Sequence, residues 1–263
     1  MYLGAAVAVV LFDQLSPSVV AWLRLLGAAA VLLAWRRPSR EAWRGRRLAL
    51  AAAFGLATAL MNLAFYEAIA RLPLGTAVAI EFCGPVAVAA IGSRTRRDVL
   101  ALLLAALGVV LIADVQWSGS PTGVLLALAA AAMWAGYIVL GKRVAGEGAG
   151  LDGLAVGMTV AVVLLCPLGA GAGPVLGSPT LLLLAVGVGV LSSAIPYALD
   201  QVVLRRIGQA RFALLLALLP ATAAVVGLVF LGQVPRPVEA LGIVAVVLAV
   251  LLRSRDPEPP PPP

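Results

Sequence analysis

Two residues of opposite charge stand inside apolar runs: Arg24 in "SVVAWLRLLGAAAVLLAW" (18–35) and Glu81 in "AVAIEFCGPVAVAAIG" (77–92). A guanidinium offers a planar fork of donors to a carboxylate, and a carboxylate accepts from an ammonium. Together they have the chemistry to hold a zwitterion at two points. A carboxylate in low dielectric could also carry a proton. The competing reading is a buried ion pair that only fixes packing. Asn62, Tyr66, Trp134 and Tyr137 are further candidates to line a substrate cavity, or else to serve as interhelical hydrogen-bonding groups and interfacial aromatic anchors. Pro85 and Pro220 are candidate helix breaks, and Asp200, close to Arg205 and Arg206, is a candidate structural or gating salt bridge. Glu67 and Arg71 are read as a loop pair. The chain has no histidine, and Cys83 and Cys166 lie in different apolar stretches. That pattern argues against a disulfide framework, zinc or haem ligation, and Ser-His or Cys-His catalysis, so no catalytic residue, metal or cofactor is expected. No GxxxxGK[ST] phosphate loop occurs, so any transport is expected to run on a gradient rather than on ATP.

The elements that must position these residues follow from composition. The chain has 263 residues, of which 62% are hydrophobic and 12% charged, and its mean hydropathy is +1.07. Too little polar material is present to coat a soluble globule, which implies an all-α integral membrane protein. Apolar runs between polar breaks predict helices near 1–12, 18–35, 48–66, 74–92, 99–113, 121–141, 152–168, 179–199, 209–231 and 238–252. The first is short for a span and reads as truncated or as a late start. Counting along each helix at about 1.5 Å per residue, Arg24 and Glu81 share a depth of roughly 10–12 Å below one boundary of the apolar layer.

Sixteen of the nineteen basic residues cluster at 36–47, 94–97, 142–143, 205–211 and 253–255. These are alternate loops, so the positive-inside rule places them and both chain ends in the cytoplasm, with an even number of spans. Topology thus accounts for the net charge of +7, and a nucleic-acid partner is not expected. The tail "DPEPPPPP" (256–263) reads as an extended, solvated segment with no core to join.

"RLPLGTAVAIEFCGP" (71–85) and "RIGQARFALLLALLP" (206–220) share an Arg-to-Pro spacing of 14 residues. The first begins on the outer side and the second on the inner side, as expected when a unit with an odd number of helices is duplicated. This predicts an inverted five-plus-five repeat, with substrate near the midplane between halves that rock to alternate access.

"MNLAFYEAIARLPLGTAVAIEFCGPVAVA" (61–89), "AAMWAGYIVLGKR" (131–143) and "SSAIPYALDQVVLRR" (192–206) resemble the threonine/homoserine exporter family, in the EamA branch of the drug/metabolite transporter superfamily. The resemblance implies ten helices, with an EamA-like repeat over 1–114 and another over 121–252, followed by a disordered tail over 253–263. It also implies export of small amino acids, proton coupling and residence in the inner (cytoplasmic) membrane. The alternatives are export of another small metabolite or drug-like compound and, from other classes, a channel or a membrane-embedded lipid-modifying enzyme. Where family members often carry a lysine, an acid and a glutamate, this chain has Val9, Leu219 and Gln233; Asp200 keeps an acid.

Overall fold

A computed structural model describes residues 2–92, 96–117, 120–146, 150–189, 191–192 and 219–253, and no strand occurs among the described residues. The first half comprises α1 (Tyr2–Leu11), α2 (Pro17–Arg36), α3 (Gly45–Ile69), α4 (Leu74–Glu81), α5 (Cys83–Gly92) and α6 (Arg96–Trp117). Then come α7 (Pro121–Gly146), α8 (Gly150–Leu164), a 3-10 segment (Cys166–Ala172), α9 (Gly173–Gly177), α10 (Pro179–Gly189), α11 (Leu219–Leu231) and α12 (Pro237–Arg253). Among the described residues, three helices are long and apolar enough to cross a membrane: Pro17–Arg36, Gly45–Ile69 and Pro121–Gly141. The outward faces are apolar too: Leu103, Val110, Leu183, Val229 and Phe230 are all more than half exposed. In water such a surface is a liability, whereas in lipid it is the solvent contact.

Local chemistry sets several boundaries. Ser16 caps α2, its Oγ accepting from the Val19 amide at 3.4 Å, and Pro17 occupies the first helical position, where no donor is lost. Residues 74–92, expected as one helix, form two pieces that meet at Phe82. Pro85 explains this. It has no N–H for the carbonyl of Glu81, four residues earlier, and its ring crowds that carbonyl. The helix expected over 152–168 likewise ends at Leu164, and the stretch Cys166–Val175 turns away from it by 68°; Pro167 and the glycines of "CPLGAGAGP" cannot sustain an α-helix there. By contrast α3 runs to Ile69, so Asn62 and Tyr66 lie inside it and not at its end as the expected 48–66 boundary would have them. Asp200, Arg205, Arg206, residues 201–218 and the tail from 254 lie outside the described residues.

Packing is between small-residue faces. The α3 helix lies on α7 and α8, α2 on α8 and α10, α4 on α11 and α7, α6 on α12, and α1 on α10 and α11. A Cβ at Gly55 of α3 would overlap the backbone of Gly157 in α8. A Cβ at Gly27 of α2 would stand 3.4 Å from the Cα of Gly189 in α10. With lipid outside, such close approach supplies the van der Waals contact that holds helices together.

Candidate functional site

The α2–α10 approach at Gly27 and Gly189 has a chemical result. It brings the end of α10 beside the preceding turn of α2, and Arg24 donates from Nη2 to the carbonyl of Ser192 at 3.0 Å. Arg24 is only 3% exposed, and its guanidinium carbon lies 5.4 Å from the centre of the Tyr66 ring. A cation over an aromatic face is stabilised by the ring quadrupole, by about 2 kcal/mol when desolvated. Tyr66 is fully buried, and its hydroxyl has no hydrogen-bond partner among the described residues; the same holds for the Ser192 hydroxyl. Phe12 and Phe65 meet the Tyr66 ring edge-on, each at 6.1 Å between centroids.

Glu81 faces this interior from the last residue of α4 and is 5% exposed. The Arg24 charge acts on it, and the charges of both Glu81 and Arg24 act on the Tyr2 phenol, itself buried in α1. Yet no salt bridge or hydrogen bond joins Glu81 to any partner among the described residues. The two opposite charges expected at one depth are therefore brought together around one interior but not closed onto each other. Isolated buried charges are costly, and two of opposite sign that act on one another across one interior offset part of that cost.

The remaining candidates fall at graded distances. Asn62 is buried one turn before Tyr66 on the same face of α3, and its Nδ2 donates to the Thr58 carbonyl at 2.7 Å. Trp134 of α7 packs edge-on to Phe82, 4.8 Å between centroids, and so borders the α4–α5 break beside Glu81. Tyr137 does not join this group through its ring: it stacks on Phe54 at 4.8 Å, about 18 Å along α3 from Tyr66, in a separate apolar cluster. Pro85 is half-buried at the helix break, and Pro220 is buried in the first turn of α11, with the segment before it outside the described residues.

Sequence reasoning passed over Tyr2, Ser192 and a second polar group at the arginine-poor end of the bundle. There Gln233 accepts from the Leu74 amide at 2.8 Å, supplying the partner that the first turn of α4 lacks. Glu239, 2% exposed, accepts from the Thr76 hydroxyl at 3.2 Å and from the Arg236 amide at 2.8 Å. The signal was present in "RPVE" (236–239), with proline at the first helical position and glutamate at the third reaching back to the capping residue. The expected Glu67–Arg71 pair is formed at 2.6 Å.

Against known proteins, a model of the EamA-like transporter family matches residues 121–255. The chain belongs to that family. It is 37% identical over 250 residues to the threonine/homoserine exporter RhtA of Salmonella typhimurium strain LT2, and 36% identical to RhtA of Escherichia coli K12. Each alignment covers 94% of this chain and 84% of the relative. A solved crystal structure at 18% identity superposes with a TM-score of 0.59 over 96% of this chain and 93% of its own, a likeness of fold alone. Family membership makes the chain a multi-pass membrane transporter and not an enzyme.

Proposed function

We propose that this EamA-family chain is a secondary active exporter of small amino acids such as threonine or homoserine. Arg24 holds the substrate carboxylate, Glu81 holds its ammonium, and Tyr66, Asn62 and Trp134 line the cavity, with Tyr137 farther along the path. The observation that carries this is the convergence of a buried Arg24 and a buried Glu81 that are not bonded to each other. Curated relatives named as threonine/homoserine exporters support the substrate class.

Access alternates between two inverted five-helix units, 1–114 and 121–252. Three observations support this: the family match begins at residue 121; α2 packs on α8, α4 on α11 and α6 on α12; and α3 on α7 is matched by α10 on α1. A two-fold axis relating the second helix to the seventh, the fourth to the ninth and the fifth to the tenth produces those pairings. Pro85 and Pro220 then loosen corresponding helices, and Asp200 serves as a gating or structural partner at the inner side. The arginine-rich loops and the C-terminus face the cytoplasm, the membrane is the inner one, and protons drive export through Glu81. The test is efflux from cells loaded with labelled threonine, homoserine and other amino acids, against an empty vector. Saturable efflux abolished by an uncoupler is expected; indifference to every amino acid would overturn the substrate class and favour another small metabolite.

A further inference from the structure

A cleft of about 350 Å³ opens at the arginine-poor end of the bundle, lined by Val9, Phe12, Asp13, Arg71, Leu72 and Gln233 among others. Phe12 belongs to two surroundings at once. It walls this cleft, and its ring meets Tyr66 edge-on at 6.1 Å and 69°, while Tyr66 in turn lies against Arg24. One aromatic ring thus stands between the open cleft and the buried Tyr66–Arg24 group. The ring is carried in the turn that follows α1, where the Phe12 amide donates to the Val9 carbonyl at 3.1 Å, so it can swing about its side-chain torsions without melting a helix. The cleft also presents opposite charges. Asp13 is exposed with no partner among the described residues, and the Arg71 side chain, paired with Glu67, remains 40% exposed.

We propose that this cleft is the exit vestibule for a zwitterionic amino acid, with Phe12 as the gate that closes the buried site from it. The proposal rests on the transport reading above for its cargo, but not for its geometry. A swing of Phe12 uncovers the Tyr66 ring and connects the Arg24–Glu81 interior to the vestibule, where Asp13 and Arg71 meet the ammonium and carboxylate as they leave. Removing the ring should then raise the share of molecules in which the interior is reached from outside.

The test is thiol labelling in intact cells with a membrane-impermeant reagent, with Cys83→Ser and Cys166→Ser removing the native thiols. Val9→Cys, in the vestibule, should label readily; its failure to label would overturn the vestibule. Ser192→Cys, and independently Asn62→Cys, should label slowly, and Phe12→Ala should speed both by about tenfold at matched membrane abundance. An unchanged rate in Phe12→Ala would overturn the gate, and Phe12→Val provides the same comparison should the alanine variant not accumulate. Labelling needs no cargo, so its outcome is separable from the efflux result: faster labelling without amino-acid efflux keeps the gate and removes the amino-acid reading, whereas efflux with unchanged labelling does the reverse.

Discussion

Helix α4 touches two buried carboxylates, and they are held in opposite ways. At its first turn Thr76 donates to Glu239, which also accepts from the Arg236 amide. At its other end Glu81, equally removed from the surroundings, has a nearby arginine but no bonded partner among the described residues. A buried polar group whose bonds are made contributes to the fold, whereas one left unmade costs the fold and persists where something else requires it. The contrast places Glu239 with structure, fixing α12 against the start of α4, and is what the proposed role of Glu81 in holding cargo would produce.

The strongest way to break that contrast is to remove charge from the interior altogether. Arg24→Leu combined with Glu81→Leu takes out two expensive groups from a membrane interior, and replacing buried ions by apolar residues of similar volume is often neutral or stabilising. We expect the double variant to reach the membrane at normal abundance and to export nothing above the empty vector. Wild-type efflux from it would make the two residues packing groups only.

Single substitutions sharpen the comparison. Glu81→Gln keeps the shape and removes the charge, and hydrogen bonds to charged groups are worth about 1.5–3 kcal/mol, so efflux should fall about ten- to hundredfold with little change in thermal stability. For Glu239→Ala the pattern should invert. The Thr76 hydroxyl and the Arg236 amide lose their acceptor, costing about 1–3 kcal/mol in unfolding measurements on the detergent-solubilised protein, while efflux per folded molecule is retained. A loss of transport from Glu239→Ala at full stability would erase the distinction.

How much of this was legible beforehand depended on range. The helical membrane class followed from composition, a local quantity, and a count of residues along two helices was enough to consider Arg24 and Glu81 together. The break after Glu81 was half legible, since Pro85 was visible as a weak point but not as a carbonyl lost at the very residue carrying the acid. What stayed hidden was side-chain destination. Nothing in "FYEAI" (65–69) says that the Tyr66 ring will lie under Arg24 while its neighbour Glu67 accepts from Ser18, because both partners come from α2 and are selected by the rotation of α3. Tyr137 looked equivalent to Tyr66 by type and setting, yet its stacking on Phe54 puts it in another cluster for the same reason.

The smallest test compares two hydroxyls. Thr76→Val deletes one that donates to Glu239 at 3.2 Å, and Tyr66→Phe deletes one that donates to nothing among the described residues. Removing a bonded hydroxyl should lower stability by about 0.5–1.5 kcal/mol, whereas removing an unbonded buried one relieves a desolvated polar atom and should leave stability unchanged or slightly raised. Transport should respond in the opposite order. If the Tyr66 hydroxyl faces the cargo, its loss weakens apparent affinity several-fold, the amount expected for one neutral hydrogen bond, with the maximal rate nearly unchanged. Thr76→Val, about 7.5 Å along α4 from Glu81 and bonded to Glu239, should leave both efflux parameters intact. Concentration-dependent efflux, measured beside thermal unfolding of the same preparations, reads both axes. A Tyr66→Phe protein that loses stability and keeps its affinity would show that the hydroxyl serves the fold, and would place Tyr66 with Glu239 rather than with Glu81.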